Sequence, residues 1–372
     1  MSGSRARNVV LIVFDYMGYG DIEPFGESEI RTPNIRALAE QGRCYTDFYA
    51  PAPICVPSRA AMMTGRYPRH LGMERNINRG EAGLPVAEKT LARYFKDAGY
   101  RTALFGKWHL GYEVEDGPNA HGFDAFVGFH DWNIDYYSHK TRTGVDALYR
   151  GTEVIDRPGY TTDLFTDDSV AFIESAGADD APFLLYLAYN AALPPYSPPG
   201  READIDSHDT WKDGGRADYV AAIEHLDLSV GRVLDTLEAK GLGEDTLVLL
   251  TYDHGGTELA TKGPFFHGFG TLWEGGIRVP MILRCPDLVP AGGGIGRAWY
   301  PDGYRPDATG DGGHRAGPAD GRGEPACRRG RRFRAADVFL ADRSADRPRG
   351  LGRPITARPA PRALEVSLGW RL

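Results

Sequence analysis

The chain has 372 residues, 42% of them apolar and 25% charged, with a formal net charge of −8. That composition suits a globular protein with enough chain to bury a core in one large domain or two smaller ones. The mildly acidic balance excludes a nucleic-acid footprint, and no apolar run reaches the length needed to span a bilayer, so neither a nucleic acid nor a membrane is expected as a partner.

"NVVLIVF" at 8–14 is a continuous apolar run, the pattern of a strand buried on both faces. It follows a short basic start, ends at Asp15 and lacks a small-residue cleavage site. It therefore reads as a first strand rather than a signal peptide, and a cytoplasmic location is expected. "TPNIRALAEQG" at 32–42 predicts a helix with Thr32 as its cap, Pro33 in the first turn and Gly42 as its stop. A further helix is predicted to start near Pro57 or Ser58. "KTLARYFKDAGY" at 89–100 predicts another, feeding a strand that begins at Arg101. A helix over 161–177 precedes a strand over 182–190. Within 215–241, Tyr219, Ile223, Leu226, Val230, Val233 and Leu237 recur at three- and four-residue steps and give one apolar helix face. "TLVLLTY" at 246–252 predicts one more buried strand. This alternation points to an α/β fold with a mostly parallel central sheet flanked by helices, in one domain over residues 1–290.

From residue 291 to 372 the apolar periodicity stops, and Gly, Arg, Ala, Pro and Asp dominate without a single lysine. Two readings stand: a disordered basic tail, or the shifted reading frame of a GC-rich gene.

Polar clusters follow three of the predicted strands: "DYMGYGD" after 8–14, "GKWHLG" after 101–105 and "DHGG" after 246–252. In open α/β sheets ligands bind beyond the carboxyl ends of the strands, so these loops are expected to share one site. The cysteines, Cys44, Cys55, Cys285 and Cys327, form neither a zinc-type pair nor a disulfide framework. Cys55 stands apart because it precedes a helix start, where free N–H groups suit an anion, and Arg59 adds a planar cation. A capped helix with a buried cysteine would have the same local sequence.

The string "CVPSR" with "TGRYP" after it resembles the signature of the sulfatase family, C-x-P-S-R followed by T-G-R. The likeness extends from residue 8 to about residue 290 through "DYMGYGD", "GKWHLG", "HGFDAFVGF", "DYYSH", "YDHGG" and "TLWEGGIRVP". It implies an alkaline-phosphatase-like sandwich and a sulfuric ester hydrolase that releases inorganic sulfate from a small-molecule sulfate ester. It implies that a formylglycine-generating enzyme oxidises Cys55 to formylglycine, the nucleophile. Arg59, Lys107 and His109 complete the catalytic set that the resemblance implies. Asp15, Asp253 and His254 match its divalent-metal ligands, with calcium expected and magnesium or manganese as alternatives. Without the resemblance, Asp15 also reads as a loop residue bonding its own backbone. Asp253 and His254 read as a polar turn before Gly255, and Lys107 and His109 as a surface lysine and a histidine stacked beside Trp108.

Three positions depart from the family pattern. Tyr16 stands where a second acidic residue is common. Leu193, in "YNAALPPYSPP", takes the place of a histidine assigned to the leaving group, and leucine cannot donate a proton. Phe269 takes the place of a lysine that helps hold sulfate, with Lys262 and His267 as the nearest replacements. These departures keep two alternatives in view: a phosphodiester or phosphonate monoester hydrolase of the same superfamily, and a catalytically impaired, non-enzymatic descendant. "DWNIDYYSHK" at 131–140 is read either as pocket lining or as a surface loop of packed tyrosines.

Overall fold

In the computed structural model, which describes residues 8–176, 181–201 and 214–286, the first apolar run forms β1 (Asn8–Phe14) at the heart of a nine-stranded sheet. The remaining strands are β2 (Arg43–Tyr45), β3 (Arg101–Lys107), β4 (Ala125–Phe129), β5 (Tyr149–Arg150), β6 (Glu153–Val154), β7 (Phe183–Ala188), β8 (Thr246–Tyr252) and β9 (Met281–Arg284). Their order is β2-β9-β8-β1-β7-β3-β4-β5-β6. The five central strands, β8 to β4, run parallel, while β2, β9, β5 and β6 pair antiparallel at the two edges. The sheet is thus mixed with a parallel centre. The edge strands are two to four residues long, too short to show a period in the sequence.

Successive β1 side chains point to opposite faces, and each face has its own helical layer. Val10, Ile12 and Phe14 pack with α1 (Pro33–Gln41), α5 (Thr161–Ala176) and α6 (Arg216–Ala239). Val9 and Val13 pack with α2 (Cys55–Thr64) and α4 (Leu91–Asp97). All six residues of the predicted apolar face of α6 enter the first of these cores. Two short helical turns, α3 (Pro68–Leu71) and α7 (Glu274–Ile277), complete the described α-helices, and no described helix is long and apolar enough to cross a membrane.

The register sets up the site. Phe14 pairs with Tyr252, Val13 with Ala188, and Gly106 with Ala188, so β8, β1, β7 and β3 end level at one edge. Gly106 has φ 112°, and a Cβ there would lie 1.9 Å from the Ala188 carbonyl oxygen; only glycine lets the end of β3 approach β7 this closely.

Helix α1 corrects one expectation. The Thr32 hydroxyl does not cap it; that oxygen accepts from the Glu23 N–H at 2.9 Å. The cap comes from Asp227 on α6, whose carboxylate accepts from the Ile35 N–H at 2.8 Å, the Asn34 N–H at 3.1 Å and the Asn34 side-chain amide at 2.8 Å. Asp227→Ala leaves buried donors without acceptors and is expected to cost about 2 kcal/mol. The check is urea unfolding: the midpoint falls while the slope stays constant. An unchanged midpoint would mean that the cap adds nothing.

The 131–140 segment is largely buried rather than a surface loop, and its tyrosines pack on Tyr160. Asn133, Tyr136 and His139 are buried, and the segment braces the loop after β7. The Tyr136 hydroxyl donates to the Leu193 carbonyl at 2.9 Å, and the Asn133 amide donates to the Pro194 carbonyl at 2.5 Å. The reading of residues 291–372 as a tail lies outside the described residues.

Candidate active site

Asp15 directly follows β1 and Asp253 directly follows β8. Because Phe14 and Tyr252 are in register, the two carboxylates leave the sheet side by side. Lys107 closes β3, and His109 stands two residues beyond it. Helix α2 lies across these strand ends. It begins at Cys55 itself, earlier than the Pro57 or Ser58 expected, with Ile54 still extended. Arg59 sits one turn later on the same face. The structure thus brings all seven candidate residues together, and none is more than 2% exposed.

Two residues not singled out by sequence reasoning hold α2 in place. The Val56 N–H donates to the Asn76 side-chain oxygen at 3.0 Å, and the Ser58 hydroxyl donates to the Asp253 carbonyl at 2.5 Å. Ser58 is part of the C-x-P-S-R string, so a signal for it was present. For Asn76, twenty residues from its partner, there was none.

Arg59 is the clasp of the site. Its Nε donates to Asp253 Oδ2 at 2.9 Å, one terminal nitrogen donates to Asp15 Oδ2 at 3.1 Å, and the other donates to the Lys107 carbonyl at 3.3 Å. Lys107 Nζ donates to Asp15 Oδ2 at 2.6 Å and lies 3.5 Å from Cys55 Sγ. Burial alone raises a carboxyl pKa, but Lys107, Arg59 and His254 outweigh it at Asp15 and hold that group below the usual range. Asp253, with Arg59 as its close guanidinium partner, goes the other way: burial pushes its carboxyl up. Burial works against the Arg59 charge, yet Asp253, Tyr186 and Asp15 more than offset it.

The second carboxylate oxygens are the informative ones. Asp15 Oδ1 and Asp253 Oδ1 are buried without a hydrogen-bond partner among the described residues. They face His254 Nε2 at 3.3 and 3.5 Å, and this nitrogen lies 3.1 Å from Cys55 Sγ. His254 Nδ1 lies 3.0 Å from the Gly255 carbonyl, to which it donates as the protonated nitrogen, leaving Nε2 for the site. Burial draws the His254 pKa down, but Asp253, the Cys55 thiol and Asp15 lift it to about 9, so protein charges alone keep a proton among these acceptors. One ligand atom from each of Asp15, Cys55, Asp253 and His254 lies within 4.8 Å of all the others. Two orphaned carboxylate oxygens and an imidazole nitrogen around one point fit a divalent cation, which would take the place of that proton.

His109 does not continue the alternation of β3, which ends at Lys107. It has left the strand, with φ 55°. That left-handed backbone costs a non-glycine residue on the order of 1 kcal/mol and is held here by burial. Its Nδ1 has no hydrogen-bond partner among the described residues. Burial, followed by the charges of Lys107, Arg59 and His254, drives its pKa well below the usual value, so the ring is neutral.

The three departures also have places. Tyr16, at φ 60°, stacks on Phe269 with ring centroids 4.5 Å apart. Leu193 is fully buried, one residue beyond Ala191 and Ala192, which exchange backbone hydrogen bonds with Asp15 at 3.2 and 2.8 Å. His267 is exposed and packs on Phe266 and Trp273 rather than replacing the charge missing at position 269.

Comparison with known proteins gives a consistent picture. The family profile described as Sulfatase matches residues 7–298. The chain is 32% identical to the N-acetylgalactosamine-6-sulfatase of Mus musculus over 77% of its own length and 58% of that protein, and 33% identical to arylsulfatase A of Homo sapiens over 78% and 61%. It therefore spans somewhat under two thirds of these relatives. Among solved structures it resembles Ps i-CgsB, crystallised in complex with k-i-k-neocarrahexaose, with a TM-score of 0.71 and 32% identity over 78% of this chain and 68% of that one. The expected alkaline-phosphatase-like α/β architecture is the one observed.

Proposed function

The chain belongs to the sulfatase family, and from that premise we propose that it hydrolyses a small-molecule sulfuric ester with position 55 as nucleophile. The observation that carries this reading is the convergence of Asp15 Oδ1, Asp253 Oδ1 and His254 Nε2 on Cys55 Sγ at the start of a buried helix. The thiol stands where the hydrated aldehyde of formylglycine would present its oxygens, after oxidation by a formylglycine-generating enzyme. That group would supply a hydroxyl to attack sulfur as the ester S–O bond breaks and the alcohol leaves with a proton, and a second hydroxyl whose deprotonation re-forms the aldehyde C=O as the C–O bond to sulfate breaks. A divalent cation, calcium for these hard oxygens or else magnesium or manganese, would supply the charge that makes the attacking hydroxyl more acidic. Asp15, Asp253 and His254 would hold it.

The remaining side chains orient and balance charge. Arg59 binds the outer oxygen of each carboxylate and so turns the inner ones toward position 55. Lys107 places a positive charge beside the nucleophile, where it offsets the charge that grows on a bound sulfuryl group. His109, neutral and with a free ring nitrogen, can hold the proton of a hydroxyl at position 55.

The test is release of inorganic sulfate from 4-nitrophenyl sulfate by protein co-expressed with a formylglycine-generating enzyme, with conversion of Cys55 checked by mass. Chelation is expected to abolish release and added calcium to restore it. Fully converted, calcium-loaded protein that frees no sulfate from any of a panel of sulfate esters would overturn the reading.

A further inference from the structure

The site has an aromatic mouth. Every candidate residue named above is buried, but Tyr16 and Phe269, packed against His254, are only half-buried. Their rings are stacked, 4.5 Å between centroids at 30°. Each also touches the imidazole of His254, Tyr16 edge-on at 5.0 Å and Phe269 tilted at 4.8 Å. Since His254 Nε2 is 3.1 Å from Cys55 Sγ, the stack lies beside the nucleophile.

The pair is fixed from several directions. The Tyr16 carbonyl accepts from the Tyr219 hydroxyl on α6 at 3.4 Å. The Phe269 N–H donates to the Gly256 carbonyl and the Gly270 N–H to the Pro53 carbonyl, both at 2.9 Å. Neither a phenol nor a phenyl ring carries a charge at neutral pH, so the surface is neutral. A flat, neutral, pre-organised aromatic surface attracts another flat apolar group.

We infer that Tyr16 and Phe269 form a stacking platform for the leaving group and select sulfate esters whose alcohol side has a flat apolar face. This rests on the sulfatase reading above and adds the part of the substrate that reading leaves open. A stacked ring gains about threefold to tenfold in affinity over a leaving group too small to reach the platform.

The full chain with Cys55 unconverted, verified by mass, separates the two ideas, because it binds without turning over. In calcium buffer, calorimetry is expected to show 4-nitrophenyl sulfate binding about tenfold tighter than methyl sulfate. Phe269→Ala should erase that preference while leaving methyl sulfate unchanged, and Phe269→Trp should keep it. Phe269→Leu, which retains apolar volume, should lose most of it and serves if the alanine variant does not fold. Equal binding of both esters by the parent chain, or an equal loss for both in Phe269→Ala, would overturn the platform. An aryl preference in binding without turnover after conversion would sink the sulfatase reading and leave the platform standing. In converted protein, the platform requires that Phe269→Ala raise KM for the aryl ester only; a fall in kcat shared by both esters would instead make the ring a packing element for His254.

Discussion

Cys55→Ala is expected to lower sulfate-ester turnover by a factor on the order of 10^4 or more while leaving the fold in place. The size of the loss follows from position. Sγ lies 3.1 Å from His254 Nε2 and 3.5 Å from Lys107 Nζ, so the substitution removes the atom that stands where an attacking oxygen must be generated. The modest structural cost follows from the helix. Position 55 is the first residue of α2, alanine is the best helix former, and only one sulfur atom leaves a buried site. Asp15, Asp253 and His254 are untouched, so calcium should still raise the melting temperature of the variant. The assay is sulfate release by parent and variant, both co-expressed with the converting enzyme. Turnover within tenfold of the parent would remove position 55 from the chemistry.

The central part of this fold was legible because its signals are local. β1 and β8 are continuous apolar runs, and the apolar face of α6 repeats with the helical period. The strand-end rule then placed Asp15, Lys107 and Asp253 at one edge, and the level register of β8, β1, β7 and β3 shows why it works. What stayed hidden depends on partners distant in sequence. Asp227 caps a helix that begins 194 residues before it. Its own neighbourhood is an ordinary helix, so Thr32, with the right chemistry and the right place, looked like the cap. Asn76 is unremarkable until it meets the start of α2. Tyr16 and Phe269 each read as the loss of a charge. In three dimensions they touch, and two apparent losses become one aromatic surface. Leu193 differs again: its residue type was plain in the sequence, but not that the loop bearing it is braced by Tyr136 and Asn133.

Replacing Arg59 by leucine is expected to destabilise the chain by about 3–5 kcal/mol, the usual result of removing one partner from a buried ionic cluster. Arg59 is the one guanidinium that bridges Asp15 and Asp253 among the described residues, and both carboxylates are fully buried. Without it, Asp15 keeps Lys107 at 2.6 Å, but Asp253 loses its 2.9 Å partner and faces a second carboxylate across His254. Leucine fills much of the volume, so the loss is electrostatic rather than a cavity. That origin carries a signature. A divalent cation drawn to the same two carboxylates supplies the missing positive charge, so calcium should stabilise the Arg59→Leu chain more than it stabilises the parent. Arg59→Lys, which keeps the charge but cannot span both carboxylates with a planar fork, should fall between the two. The measurement is urea unfolding of the three chains with calcium and with chelator. If leucine at position 59 costs nothing, or if calcium stabilises neither chain, then Asp15 and Asp253 are not a charged pair awaiting a cation. The same side chain that holds the fold together here is then not what turns its carboxylates toward Cys55.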